Sequence, residues 1–173
     1  MFATLYLPNF YLQAALRHQP ELLVRPVALI DEQEPKPIII QLNAAAEAVG
    51  VTIGMTPSQG LARHLQLLIK SRLRAQEQLL DHLLLQFAFT LAPYVEATAP
   101  GVCTIQFTAT KNLLRNVQRV VEQLAASDII AKAGIAPTPD TSLLAAHVAN
   151  PVLQVDAAKD FLAPLPIETL LVA

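Results

Sequence analysis

Apolar residues gather at the start of the chain, from Phe2 to Leu7, in an aliphatic and aromatic run that predicts a buried strand. Pro8 cannot donate a ladder hydrogen bond and ends it, and Asn9 is placed to cap a short helix from Phe10 to Leu16. Beyond Arg25-Pro26, strands over Val27 to Ile30 and Ile38 to Leu42 flank the charged, proline-containing turn Asp31 to Pro37 and read as a hairpin. Asn43 caps a helix from Ala44 to Val49, with Gly50 at its C-terminal stop. Thr56-Pro57-Ser58-Gln59 is a capping box that opens a helix to about His64. Leu65 to Ile69 reads as an extended link.

A longer helix is predicted from Arg72 to Leu91, because Leu79, Leu80, Leu83, Leu84, Phe87, Ala88 and Leu91 recur at helical spacing. Pro93 stops it. Strands follow over Tyr94 to Thr98 and Val102 to Thr108, around the turn dipeptide Pro100-Gly101. Lys111 to Ala126 is an amphipathic helix with Leu113, Leu114, Val117, Val120, Val121 and Leu124 inward. Ile129 to Ala136 reads as a strand, Asp140 to Val148 as a helix ended by Asn150-Pro151, and Phe161 to Val172 as the start of another helix. With the N-terminal strand in front, the order is β-α-β-β-α-β, a ferredoxin-like α+β arrangement. The reading is a split α/β sheet domain of residues 1–9 and 70–160, an inserted lobe of residues 10–69, and a final element over 161–173.

Composition narrows the classes. The chain has 173 residues, 53% hydrophobic and 15% charged, enough for a core in one large or two small domains. No apolar run reaches the ~18–20 residues of a spanning helix, and Met1 is not followed by a basic leader, so no membrane partner is expected. A single cysteine excludes an internal disulfide framework and points to a reducing, cytoplasmic setting. The net charge of −2 argues against strong phosphate binding by these residues alone.

Candidate chemistry is sparse. His18, His64, His82 and His147 form no ligand spacing and read as surface or structural, so no metal is expected. No glycine-rich phosphate loop occurs, since the five glycines do not make a nucleotide fingerprint, and no cofactor is expected. Cys103, in a strand of apolar neighbours, reads as a small core hydrophobe. Arg63, Lys70, Arg72 and Arg74 cluster near the lobe junction, and Lys111, Arg115 and Arg119 recur every four residues on one helix. Either set can meet nucleic-acid phosphates, and solvated faces are the plain reading of both.

Several stretches in series resemble the Y-family (translesion) DNA polymerases. They are Phe10-Tyr11-Leu12-Gln13, Pro20-Glu21-Leu22, Arg25-Pro26-Val27-Ala28, Asn43 to Val51 with Gly54-Met55, Tyr94-Val95-Glu96, Gly134-Ile135-Ala136-Pro137, Ala145-Ala146 with Ala149-Asn150-Pro151, and Phe161 to Pro166. The chain is most similar to the branch called ImuB, the catalytically inactive member of a bacterial mutagenesis complex. The resemblance implies a palm carrying a fingers lobe, with residues 161–173 the start of a truncated thumb.

It also implies which positions would carry chemistry. Active members hold two metal ions on three carboxylates, which activate the primer hydroxyl and neutralise the triphosphate. Those positions fall here on Tyr6, Gly101 and Val102. The triphosphate-binding Tyr and Arg fall on Ala44 and Glu47, and a palm-helix lysine falls on Leu143. Glu47 would repel a phosphate. Tyr11 matches the residue that screens the sugar 2′-hydroxyl and, without a nucleotide site, reads as a core aromatic. The expectation is therefore no enzyme, but a non-catalytic scaffold in DNA-damage-induced mutagenesis. Its implied partners are an error-prone replicative-type polymerase, an accessory mutagenesis subunit, the sliding clamp through a C-terminal motif missing from these residues, and DNA, weakly. Two rivals stand beside it: an active translesion polymerase using carboxylates such as Asp31, Glu32 or Glu96, and a ferredoxin-like regulatory or ligand-binding module.

Overall fold

The computed structural model describes residues 1–109 and 111–167. In chain order the elements are β1 (Phe2–Tyr6), α1 (Phe10–Leu16), β2 (Val27–Ile30), β3 (Ile39–Leu42), α2 (Ala44–Ala48), α3 (Pro57–Arg63), β4 (Leu68–Ser71) and α4 (Arg74–Phe89). There follow β5 (Tyr94–Ala99), β6 (Val102–Gln106), α5 (Leu113–Ala125), β7 (Lys132–Ala136), α6 (Pro139–Val148), β8 (Val152–Gln154) and α7 (Ala158–Leu162). One compact unit holds Met1–Pro8 and the described residues from Leu80 on; the other is Asn9–Leu79. The element expected at the C-terminus falls partly on residues 168–173, outside the described residues.

In the first unit a five-stranded sheet runs in the order β5-β6-β1-β7-β8. β1 is central and antiparallel to both β6 and β7. The first four of these strands have the ferredoxin-like order that the sequence predicts. β8 adds itself parallel to β7. Three residues are too few to show an alternating pattern, so the sequence reading passes over it.

The pleat sends alternate residues to opposite faces. Ala3, Leu5, Cys103, Ile105, Ala133 and Ile135 stand opposite one another across β1, β6 and β7, and all are buried. Each large aliphatic in that layer contributes about 1.5–3 kcal/mol by leaving water. The thiol of Cys103 belongs to this layer, and burial pushes its pKa up to about 12. That is the behaviour of a core hydrophobe. α5 packs along β7 and β8 and buries Leu113, Val117, Val120, Val121 and Leu124. Leu114, expected inward, is 37% exposed because it lies a step off that stripe. Leu79 of α4 departs in the same way: Leu80, Leu84 and Ala88 form the buried row, and Leu79 is 45% exposed.

The other face of the sheet carries Thr4, Thr104 and Gly134, with α6 over β1 and β7. Thr138 caps α6 by accepting the Thr141 N–H. A hydroxyl chain crosses this face: Thr98 Oγ1 lies 2.9 Å from Thr104 Oγ1, which lies 3.4 Å from Thr4 Oγ1, which lies 2.7 Å from Ser142 Oγ. Ser142 donates to the Pro139 carbonyl at 2.7 Å. With that proton committed, Thr4 donates to Ser142, and buried Thr4 and Ser142 are both satisfied.

The second unit has a three-stranded sheet, β3-β2-β4. β2 and β3 pair antiparallel as predicted. The stretch expected as an extended link instead supplies β4, parallel to β2 from Val27↔Leu68 to Ile30↔Ser71. A parallel partner lies far away in sequence, which no local pattern reports. The faces of β2 sort its residues: Val27 and Leu29 meet Leu12 and Leu16 of α1, while Ala28 and Ile30 meet Ile39, Ala46, Val51 and Leu67. The capping box at Thr56 and Gln59 forms as predicted. The Asn9 cap does not: Asn9 is left-handed at φ 49° and its side chain makes no capping bond to α1. Its amide donates instead to the Leu42 carbonyl at 3.4 Å.

Candidate functional site

The positions that the resemblance assigns to metal ligands do come together, at the C-terminal end of β1. Tyr6 stands opposite Val102 of β6 on one side and Lys132 of β7 on the other, so one face carries all three. Gly101, at φ +72°, sits in the turn before β6. Its carbonyl accepts the Leu7 N–H at 2.9 Å and its N–H donates to Asp81 Oδ1 at 2.7 Å. α4 brings Asp81 there, from a place twenty residues earlier in the chain. Sequence reasoning does not single out Asp81, because nothing local ties a helical aspartate to a distant turn.

The Tyr6 ring lies against the His147 ring, centroids 4.1 Å apart and planes at 36°. Lys132 Nζ donates to the His147 carbonyl at 3.3 Å, where the end of α6 presents partial negative charge. Burial raises the Tyr6 pKa and keeps the phenol protonated. Burial, and then the charge of Lys132, lowers that of His147, so the imidazole is neutral near pH 7.

Divalent cations of the kind that the fold family implies require ionised oxygen donors. The three positions offer a protonated phenol, a glycine and a valine. That donor set does not fit such ions. Among the described residues no three His, Cys, Asp or Glu side chains cluster as a metal site requires.

The remaining positions fall as follows. Leu143 lies half-buried on α6. Ala44 and Glu47 lie exposed on α2 of the second unit, one turn apart. The α2 cap is more than a cap: Asn43 Oδ1 accepts the N–H groups of Ala46 at 3.0 Å and Val27 at 3.1 Å. Its amide donates to the carbonyls of Leu23 at 3.0 Å and Arg25 at 2.7 Å.

The basic cluster of the second unit is largely engaged. Arg72 makes a bidentate pair with Glu77, at 2.9 and 2.6 Å, and reaches Asp31 at 3.4 Å. Its guanidinium carbon lies 3.8 Å from the Tyr11 ring centroid. The hydrogen bond to Glu77 is the main reason its pKa is raised, with burial acting against it. Arg74 also pairs with Asp31, and Lys70 Nζ donates to Gln19 at 3.0 Å. Arg63, at the end of α3, is exposed, as are Lys111, Arg115 and Arg119 in the first unit. His18 and His82 are exposed and His64 half-buried. Asp31, one of the carboxylates a rival reading would recruit, serves Arg72 and Arg74; Glu32 and Glu96 are exposed.

A model of the IMS (impB/mucB/samB) family matches residues 5–147. The chain belongs to the impB/mucB/samB family. Solved polymerases share the fold of this family member. An insertion ternary complex of Dbh DNA polymerase superposes with a TM-score of 0.84 at 14% identity, covering 97% of this chain and 53% of that one. The post-insertion binary complex of the same polymerase gives 0.85 at 15%, with 97% and 52% covered. DinB from Sulfolobus solfataricus gives 0.83 at 15%, again with 97% and 52% covered. The chain thus spans about half the length of the structures it matches. No curated relative matches it. These findings place the chain in the Y-family superfamily that its residues resemble, with an α+β fold matching the palm and fingers region. They also correct one expectation. The chain was read as no enzyme because its ligand positions are degenerate, yet its family and its solved neighbours are those of DNA polymerases, which are enzymes. The donor chemistry of the assigned positions is local and does not set the class of the chain. No helix among the described residues is long and apolar enough to cross a membrane.

Proposed function

We propose that this chain supplies the palm and fingers of an ImuB-like translesion-synthesis protein, the first unit being the palm and the second the fingers. In the cytoplasm it acts as a scaffold in DNA-damage-induced mutagenesis, bringing an error-prone replicative-type polymerase and an accessory subunit to the sliding clamp. One observation carries this reading. The polymerase fold is kept in both units, while the positions to which the resemblance assigns metal and triphosphate contacts hold Tyr6, Gly101, Val102, Ala44, Glu47 and Leu143. DNA contact through exposed cations such as Arg63 is weak and salt-sensitive at a net charge of −2.

Size-exclusion chromatography of this chain with the polymerase and accessory subunits tests the scaffold. Co-elution is expected near 10 μM, a concentration at which a complex of about 1 μM dissociation constant is mostly formed. Separate elution of all three overturns it.

A second reading, template-directed nucleotide transfer, is favoured by the family and by the Asp81 carboxylate beside Gly101. Primer extension with magnesium or manganese measures it. Incorporation that Asp81→Asn abolishes selects this reading over the scaffold.

A further inference from the structure

We infer that Tyr6, Lys132 and His147 form a metal-independent seat for a phosphate oxyanion at the end of β1. The inference rests on the polymerase-like reading of that same site and says what occupies it.

The donor chemistry points this way. Lys132 is half-buried, and among the described residues no carboxylate pairs with its ammonium. An ammonium has three donors, and the carbonyl of His147 takes one. An ammonium without a carboxylate partner meets an oxyanion through charge-assisted hydrogen bonds. Tyr6 stands opposite Lys132 in the β1–β7 register and its ring lies against that of His147, and a phenol and an imidazole each carry a proton to donate. Asp81, the carboxylate that approaches this end of the sheet, has Oδ1 on the Gly101 N–H. Where the fold family sets a divalent cation between protein carboxylates and phosphate, this chain carries a cation of its own and no carboxylate at the three ligand positions. Such a set repels metal and attracts the anion directly.

Two sources present the same group: the phosphates of a nucleotide, and a backbone phosphate of DNA. The test is an NMR titration of the isotope-labelled chain in excess EDTA, following the His147 ring and Lys132 side-chain resonances. Inorganic phosphate, a deoxynucleoside triphosphate and a single-stranded oligonucleotide are added separately. Saturable shifts of both residues are expected, with at least a tenfold loss of affinity in Lys132→Gln and retention in Lys132→Arg. Tighter binding of the triphosphate assigns the seat to a nucleotide, and tighter binding of the oligonucleotide to a DNA backbone. Absence of saturable shifts in the parent chain at millimolar ligand overturns the inference, as does binding that appears only when magnesium replaces EDTA. If Lys132→Gln fails to fold, Tyr6→Phe takes its place, and unchanged affinity there with no shift at Lys132 also overturns it. The partner subunits take no part in this titration, so a failed scaffold and a failed phosphate seat give different results.

Discussion

Gly134 of β7 lies directly beneath the Ser142 carbonyl of α6: a Cβ added at Gly134 would stand 2.2 Å from that oxygen and 2.3 Å from the Ala146 nitrogen. Both are backbone atoms of a helix, so neither can rotate away. α6 therefore rests on β7 at a distance that only a hydrogen at this position permits.

Gly134→Ala should lift α6 from the sheet and break the Thr4–Ser142 hydroxyl contact with it. Overpacking of this kind costs roughly 1–3 kcal/mol, and more where the obstruction is backbone. Urea denaturation should show a loss of at least about 2 kcal/mol. A midpoint within about 0.5 kcal/mol of the parent would show that α6 yields freely.

That contact also marks the limit of what the sequence discloses. Gly134-Ile135-Ala136 reads as part of a strand, and Thr138 with Pro139 reads as a helix start, both from local chemistry. The β-α-β-β-α-β order is legible because each element has its own period, and Leu80, Leu84 and Ala88 announce their helix unaided. What stays hidden is pairing at a distance. Leu68 to Ser71 becomes a strand only because β2 lies parallel to it. Asp81 meets Gly101, and His147 meets Tyr6, only through the way helices cross the sheet. The positions assigned to metal ligands, Tyr6 and Val102, are reached in the sequence through resemblance. Their neighbours Lys132 and His147 are not, because an isolated lysine at a strand start and a histidine in a helix's last turn carry no spacing signal.

Arg72 should prove a stability residue of the second unit. Its side chain is 14% exposed and that of Glu77 8%. Arg72→Ala leaves the poorly hydrated Glu77 with Arg74, at 3.9 Å, as its remaining cation, and removes the cation from the Tyr11 ring. Breaking a fully buried pair costs ~3–5 kcal/mol, and residual hydration here reduces that to about 2–3 kcal/mol. Arg63→Ala, at an exposed helix end, should stay within about 0.5 kcal/mol. Equal denaturation midpoints for Arg72→Ala and the parent would contradict the network.

Carboxylates placed on the β1–β6 pair should supply the ionised oxygen donors that Tyr6 and Val102 do not offer. Tyr6→Asp with Val102→Glu places two of them directly opposite each other. Manganese binding, followed by electron paramagnetic resonance, should appear with a dissociation constant of about 10⁻³ M, the weak end for oxygen sites. Gly101→Asp behaves differently, since φ +72° strains any L side chain and the variant should lose about 1–2 kcal/mol. A double variant with no more affinity for manganese than the parent would mean that these side chains do not converge.

His147 should make stability depend on pH. Folding lowers its pKa, through burial first and the Lys132 charge second, with the Tyr6 ring covering one side. The unfolded chain therefore binds that proton more readily, and stability rises with pH wherever the two states differ. The contribution is complete above the unfolded value of about 6.5, begins to fade as pH drops below it, and is fully lost once pH has passed the folded value. Urea midpoints should thus fall between about pH 7.5 and pH 5 by more in the parent than in His147→Phe, which keeps a ring against Tyr6 and has no proton to gain. Carboxylates titrate mostly lower and contribute alike to both proteins, so the difference between the two profiles isolates this group. Parallel profiles would mean that protonated His147 is tolerated in the fold, by its swinging away from Tyr6 into water.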